Sequence, residues 1–261
     1  MSRNRSIPRA RDSRNRPGST RKRLSQNFLT NPGVARMLTR SSGVGPTDLV
    51  VEIGPGDGML TRQLLSAGAQ VLAYEKDRHY ADDKRICCLP LDFRDVVAPR
   101  EPFSVVANIP FASTTDIVRW CLAARYLTSA TLLVQREFAR KQSGDYGRWT
   151  KLSVSHWPTA TMELGARVGR HNFHPVPSVD SAVLRLTRRS QPLLSVREMP
   201  GYRYFVELGY SGLGGSLAAS LTRAFPAKTV RMACAIAEID TGLPVGFLPP
   251  DRWIALYRAM R

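Results

Sequence analysis

Short apolar runs alternate with amphipathic stretches over the first two thirds of the chain. The first run, Leu49–Ile53, is followed by a helix-like stretch that begins at Met59 and stops at Gly68. Runs of this length that lack alternating polar positions are typical of strands buried on both faces of a parallel sheet. Further strands are predicted at 70–74, 86–91, 103–107 and 131–134, with later ones near 152–157 and 182–186. The alternation predicts an α/β fold with a Rossmann-like, doubly wound, mostly parallel sheet.

Helix-start signals flank these strands. Asn31 followed by Pro32 predicts a helix start, and Ser113 with Asp116 indicates a capping box. From about Ser195 the periodicity becomes helical, with helices expected at 204–210, 217–225, 230–239 and 253–260. We therefore predict three parts: a disordered basic arm at residues 1–22, a cofactor-binding catalytic domain at 23–190 and a small helical domain at 191–261.

The predicted strands end on polar groups or on a glycine loop. Gly54-Pro55-Gly56-Asp57-Gly58 follows the first strand, and Glu75 and Asp92 end the second and third. In open α/β sheets this edge binds ligands. Met59 breaks the dinucleotide fingerprint, and Glu52 beside the loop would repel a pyrophosphate. S-adenosyl-L-methionine has a cationic end and fits better, with Glu75 accepting from its ribose and Asp92 from its adenine amine.

The next strand runs into Asn108-Ile109-Pro110-Phe111, which presents an amide, a carbonyl and an aromatic ring together. Taken alone, this segment is better explained as a turn in which the asparagine satisfies backbone groups and the proline stops the strand. The glycine loop and the acids at neighbouring strand ends favour a functional role.

The formal net charge of +17, with a pI near 10.6, points to a phosphate-rich partner. A membrane surface is the competing partner, but no basic amphipathic helix or run of about 18 apolar residues supports it. No secretory signal is evident, so we expect a cytoplasmic protein. RNA binding is predicted for the cations that follow the fifth strand, although each singly is more often a solvated charge. They are Arg136, Arg140, Lys141, Arg148 and Lys151.

Metal binding and disulfides are not predicted. Four cysteines, Cys87, Cys88, Cys121 and Cys234, show no C-x-x-C spacing and are expected to be buried thiols. His171 and His174 lack a third ligand nearby, so we interpret both as loop residues.

Several motifs resemble those of the ribosomal RNA adenine N6-methyltransferases, most closely the erythromycin-resistance (Erm) branch. The resemblance spans Ser25 to about Arg189 and rests on 26–29, 52–61, Glu75, Asp92, 108–111 and 173–181. Ile109 stands where the ribosome-biogenesis dimethyltransferases usually show leucine, and 113–117 also favours the resistance branch. Two departures concern the cofactor pocket: only 16 residues separate Glu75 from Asp92, and Lys76 replaces an apolar residue against the cofactor adenine.

The resemblance implies S-adenosyl-L-methionine as cofactor and 23S rRNA as substrate, methylated by a monomer before ribosome assembly is complete. The residues expected at the cofactor are Gln26, Asn27, Leu29, Glu52, Gly54, Gly56, Gly58, Glu75, Lys76, Asp92 and Asn108. The small-subunit rRNA dimethyltransferases are the alternative enzyme, and a non-catalytic RNA-binding factor on the same fold is the alternative of another class.

The hypothetical mechanism concerns an adenine amine whose lone pair is delocalised into its ring. The Asn108 side-chain oxygen and the Ile109 carbonyl, positioned by Pro110, would accept its two N–H bonds and aim the lone pair at the methyl group. Phe111 would stack on the flipped-out base, and Phe173 would cover its other face or edge. The alternative for Phe173 is a structural aromatic in a proline-rich loop.

Overall fold

The computed structural model describes residues 27–75, 87–89, 92–212 and 215–261. The strands are β1 (Phe28–Leu29), β2 (Leu49–Ile53), β3 (Gln70–Tyr74), β4 (Cys87–Leu89), β5 (Phe103–Asn108), β6 (Leu127–Gln135), β7 (Ala160–Val168), β8 (Phe173–His174) and β9 (Ser181–Arg188). The helices are α1 (Pro32–Ser42), α2 (Met59–Ser66), α3 (Thr114–Ala123), α4 (Arg136–Ser143), α5 (Lys151–His156), α6 (Met199–Gly209), α7 (Leu217–Leu221), α8 (Ala227–Ile236) and α9 (Pro250–Ala259).

Seven of these strands form one sheet in the order β4-β3-β2-β5-β6-β9-β7. β4, β3, β2, β5 and β6 pair in parallel, and β9 runs antiparallel to both of its neighbours, β6 and β7. The predicted doubly wound, mostly parallel sheet is confirmed. The carboxyl ends of β2, β3 and β5 therefore meet at one edge.

Successive residues of the central strands face opposite sides of the sheet. Val51 and Val105 belong to one buried cluster, and Val50 and Val106 belong to the cluster on the other face. All four side chains are fully buried. Each contributes on the order of 1.5–3 kcal/mol relative to an exposed position, which explains why these strands lack the alternating polar pattern of a half-exposed sheet.

A second core fills the helical C-terminal part. It is built around aromatic residues that include Tyr202, Phe205 and Trp253, and the Phe205 and Trp253 ring centroids lie 6.0 Å apart. Val154 of α5 also belongs to this cluster. The segment before β7 therefore packs into the helical core, although the domain boundary predicted at residue 190 lies well after it in the sequence.

Two sequence-based predictions are wrong. The segment 152–157, predicted as a strand, lies mostly in helix α5, because the Thr150 side chain accepts from the Ser153 N–H and caps a helix that starts at Lys151. The strand that follows, β7, was not predicted. The capping box at Ser113 is also wrong, since the Ser113 side chain makes no capping hydrogen bond and a 3-10 turn, Phe111–Ser113, precedes α3.

The prediction of buried thiols is confirmed for two of the four cysteines. Cys121 and Cys234 are buried and free.

Some predictions cannot be compared with the structure. The basic arm at 1–22, Gln26 and Lys76 lie outside the described residues. In the described part of the chain, no helix is long and apolar enough to cross a membrane, and no group of three or more His, Cys, Asp or Glu side chains is arranged to hold a metal ion.

Candidate active site at the carboxyl edge of the sheet

The glycine loop and the end of β3 are joined by hydrogen bonds. Ile53 and Tyr74 are paired at the ends of β2 and β3. The Gly54 N–H donates to the Tyr74 carbonyl at 2.9 Å, and the Gly56 N–H donates to Glu75 Oε2 at 3.2 Å. The Glu75 carboxylate is buried and thus supports the loop directly. The predicted proximity of these two strand ends is confirmed.

Gly56 is the glycine that the loop most needs. Its φ is +51°, in the left-handed region that disfavours residues with a Cβ atom. A Cβ built on Gly56 would also lie 2.8 Å from two carbons of the Phe28 ring. Phe28 of β1 therefore packs directly on the loop backbone, and only glycine leaves room for that contact.

Asn108 projects from the end of β5 and is half-buried. Its Nδ2 donates to the Asn27 main-chain carbonyl at 2.9 Å. A carbonyl only accepts, so this contact assigns the amide nitrogen to Asn27 and turns the Asn108 Oδ1 the other way. No described residue donates to that oxygen. Asn108 lines two small cavities that also share Phe28 and Gly54.

The rest of the 108–111 segment divides between core and surface. The Ile109 side chain is buried, and its N–H continues the ladder to the Leu133 carbonyl at 3.4 Å. The Pro110 and Phe111 carbonyls accept from Ser113 and Thr114, whereas the Ile109 carbonyl accepts nothing from the described residues. The Phe111 ring is half-buried. An amide oxygen and a main-chain carbonyl are therefore both available as acceptors, with an accessible ring nearby.

Glu52 is a buried carboxyl group with a strongly raised pKa. It is 1% exposed, lines the same cavity as Gly54 and Asn108, and its Oε2 has no hydrogen-bond partner among the described residues. Burial raises the pKa of Glu52 to about 8; the neighbouring Thr61 hydroxyl and Arg62 oppose this shift, and the Glu75 carboxylate reinforces it. A buried, unsatisfied carboxylate oxygen is suited to a cationic ligand group, which is the chemistry that an S-adenosyl-L-methionine ammonium would supply.

Strand β1 is attached to the site through residues distant in sequence. It pairs with β8, with Leu29 opposite Phe173. The Thr30 N–H donates to the Asn172 carbonyl at 2.8 Å, and Asn31 Nδ2 donates to Asn172 Oδ1 at 2.7 Å. Asn172 thus positions β1, which Asn27 directly precedes. This role is not predictable from the sequence, because no local pattern signals a contact across 141 residues.

Two predicted site residues have other contacts here. The Asp92 carboxylate accepts from the Arg94 N–H and pairs with the Arg94 side chain, both at 3.1 Å, and lines neither of the two cavities. Phe173 is 2% exposed and packs with Leu29, Leu38 and other core residues. In this conformation a base cannot reach the Phe173 ring, so the predicted stacking is not supported and the structural alternative is favoured.

Three of the five predicted RNA-binding cations are paired with carboxylates within the protein. Arg140 pairs with Asp145, Lys141 with Glu137 at 3.2 Å, and Lys151 with Glu207 at 2.8 Å. Arg136 and Arg148 have no carboxylate partner in the described part of the chain. His171 and His174 are both exposed; His171 lies in a 3-10 turn, Arg170–Asn172, whereas His174 lies in β8 rather than in a loop.

Comparison with known proteins identifies a family and several relatives. The family described as "Ribosomal RNA adenine dimethylase" matches residues 18–260. An "rRNA adenine N-6-methyltransferase" of Aeromicrobium erythreum is 44% identical, over 92% of this chain and 73% of the relative. The "Mycinamicin-resistance protein MyrB" of Micromonospora griseorubida is 35% identical, over 92% and 79%. A "Ribosomal RNA small subunit methyltransferase A" of Synechococcus sp. is 34% identical, over 90% and 91%.

Among solved structures, the "23S rRNA methyltransferase ErmE" superposes with a TM-score of 0.84 at 39% identity, over 90% of this chain and 99% of that one. The resemblance to the Erm branch inferred from the motifs is confirmed.

Proposed function

The chain belongs to the ribosomal RNA adenine dimethylase family, and we propose that it methylates the exocyclic N6 amine of one adenine in 23S rRNA, with S-adenosyl-L-methionine as methyl donor. The modification gives its host resistance to macrolide, lincosamide and streptogramin B antibiotics. The likeness to ErmE and to a mycinamicin-resistance protein supports this target. The protein acts in the cytoplasm as a monomer, on rRNA that is not yet fully assembled.

The observation that carries the chemistry is the orientation of the Asn108 amide. Because Nδ2 is engaged by the Asn27 carbonyl, Oδ1 accepts one N–H of the adenine amine and the Ile109 carbonyl accepts the other. These two acceptors draw the nitrogen toward tetrahedral geometry and aim its lone pair. Phe111 stacks on the base. Positioning of this kind lowers a barrier by several kcal/mol.

S-adenosyl-L-methionine, when bound, supplies a methyl group on a sulfonium. Glu52 would hold its ammonium, the main chain of the 54–58 loop would lie against it, and Glu75 would accept from its ribose. The chemistry that it would supply is a transferable methyl group, with S-adenosylhomocysteine as the by-product. The methylated nitrogen then loses a proton to water, so no side chain has to act as a general base.

Labelled S-adenosyl-L-methionine tests the target directly. The protein is incubated with protein-free large-subunit or small-subunit rRNA, and the modified base is mapped by primer extension. We expect label in large-subunit rRNA at one adenine. Label confined to small-subunit rRNA would instead identify the enzyme with the small-subunit rRNA methyltransferases, one of which is 34% identical to this chain.

A further inference from the structure

Two exposed aromatic rings lie at the junction of the catalytic and helical domains, each with an arginine over its face. Tyr146 follows α4, and Phe247 ends a 3-10 turn of the helical domain, Val245–Phe247; both are 40% exposed. The Arg140 guanidinium lies 3.7 Å from the Tyr146 ring centroid, and that of Arg148 lies 4.6 Å from the Phe247 centroid. The Arg148 pair joins residues from the two domains.

The loop that carries Tyr146 and Arg148 is fixed to the helical domain by backbone contacts. The Trp149 N–H donates to the Gly246 carbonyl at 2.7 Å, and the Tyr210 hydroxyl donates to the Trp149 carbonyl at 2.9 Å. At the start of the loop, Gly144 has a φ of +74°, and a Cβ there would lie 2.6 Å from the Trp149 ring. The contacts of Trp149 with Gly144, Tyr210 and Gly246 therefore fix where Arg148 lies relative to Phe247.

Charge distinguishes Arg148 from its neighbours. Arg140, Lys141 and Lys151 are each neutralised by a carboxylate, whereas Arg148 is exposed and has no such partner among the described residues. The Phe247 ring covers one face of the Arg148 guanidinium. A guanidinium plane stacks readily on a nucleobase as well as on an aromatic ring. An uncompensated cation held in this way is suited to a base and its phosphate.

We propose that Tyr146, Arg148 and Phe247 form a stacking platform for an unpaired nucleotide of the RNA substrate. The proposal rests on the proposed function, since it assigns a subsite to that RNA. Helix α4 starts beside the catalytic edge, directly after β6, and its eight residues span about 12 Å. The platform therefore lies within reach of nucleotides that flank the target adenine, and it gives the helical domain a role in substrate binding.

Substitutions that remove each interaction separately test the platform. Stacking is worth roughly tenfold or more in affinity per base, so Phe247→Leu and Tyr146→Leu should each raise the Kd for an rRNA transcript about tenfold. Phe247→Tyr, which keeps an aromatic ring, should restore binding. Arg148→Gln should also lower the slope of log Kd against log salt by about one, because a phosphate contact is lost.

The chain offers a matched control in Arg125 and Tyr126. Tyr126 is 38% exposed with Arg125 5.4 Å from its ring centroid, but it immediately precedes β6 and so lies at the opposite edge of the sheet from Asn108. Tyr126→Leu and Arg125→Gln should leave RNA affinity and the salt slope as in the wild type. Kd for S-adenosyl-L-methionine and Tm, measured for all variants, show whether the fold and the cofactor site are intact.

The platform would be overturned by wild-type RNA affinity in Phe247→Leu and Arg148→Gln, or by an equal loss in the Arg125 and Tyr126 variants. A loss of affinity that only accompanies a fall in Tm and is not restored by Phe247→Tyr would also overturn it. Because binding is measured with both large-subunit and small-subunit transcripts, an error in the proposed target would change which RNA is preferred by the wild type. If the platform alone were wrong, its variants would bind the preferred RNA with the same Kd as the wild type.

Discussion

The catalytic edge of the sheet and the junction between the domains are assembled from different kinds of contact. At the edge, the functional groups stand at or beside the ends of β3, β2 and β5, which are neighbours in the sheet, so the sheet topology places Gly54, Glu75 and Asn108 together. At the junction, Trp149 contacts Gly246, and Trp157 Nε1 donates to Asp251 at 2.7 Å, across about 95 residues. The first region follows from topology, whereas the second depends on individual contacts between residues that are far apart in the sequence.

Asn108→Ala should have the largest effect and should be confined to the catalytic edge. Losing one acceptor for the amine should lower methyl transfer by about 10³-fold, comparable to removing one preorganised hydrogen-bond partner in other active sites. Cofactor affinity should change little, because Glu52 and the glycine loop remain. Turnover on rRNA and a cofactor-binding titration measure the two quantities.

Gln135→Ala provides the control for Asn108→Ala. Gln135 is also an amide at the end of a strand, next to β5 in the sheet, and its removal should leave turnover nearly unchanged. If Asn108→Ala retained wild-type methylation, the assigned role of the amide oxygen would be wrong.

Gly144→Ala should affect the junction instead. The substitution places a Cβ in a left-handed conformation and against the Trp149 ring, so we expect about 2–4 kcal/mol of lost unfolding free energy. RNA affinity should fall with it, while cofactor affinity below the unfolding transition should not. Gly147 has a similar φ, +65°, but no atom lies within 4 Å of a Cβ built there. Gly147→Ala should therefore lower the unfolding free energy only by the backbone strain. Equal losses in both variants would mean that Trp149 packing does not hold the junction.

The same contrast explains how far the sequence could predict the molecule. Strands β2, β3 and β5 are buried on both faces and read as apolar runs, so their polar ends were identifiable. The segment 152–157 was misassigned because Leu152 and Val154 alternate with polar residues like a strand. Its capping bond to Thr150 and its packing into the helical core are invisible in local periodicity. Phe173 was assigned to the base because its motif carried no information about burial.

Glu52→Gln should separate the effects of pH on stability and on cofactor binding. With its pKa raised to about 8, folded Glu52 keeps a proton that the unfolded chain loses above about 4.5. Unfolding free energy should therefore fall as pH rises through that window, by at most about 1.4 kcal/mol per pH unit. Glu52→Gln should flatten this slope in urea unfolding series between pH 5 and 8.

Because of Glu52, cofactor affinity should rise with pH, in the opposite direction to the unfolding free energy. A cationic ammonium favours the carboxylate, so binding releases a proton, and affinity should rise by up to tenfold per unit as pH approaches 8. The cofactor's own amino group titrates equally with both proteins, so the difference between wild type and Glu52→Gln isolates the side chain. Calorimetry in two buffers of different ionisation enthalpy gives the number of protons released on cofactor binding. If the wild type and Glu52→Gln released the same number, Glu52 would be excluded as the source.

Phe173→Leu and Phe111→Leu form the smallest and most discriminating comparison, because both change one ring near the catalytic edge. Phe173 is buried in the core cluster, so its substitution should cost about 1 kcal/mol of unfolding free energy and leave kcat within a few fold. Phe111 is half-buried, so its loss should lower kcat about tenfold through lost base stacking, with little change in Tm. If instead Phe173→Leu lost as much turnover as Phe111→Leu at unchanged stability, the loop that carries Phe173 would have to open when RNA binds. The two rings would then enclose the base together.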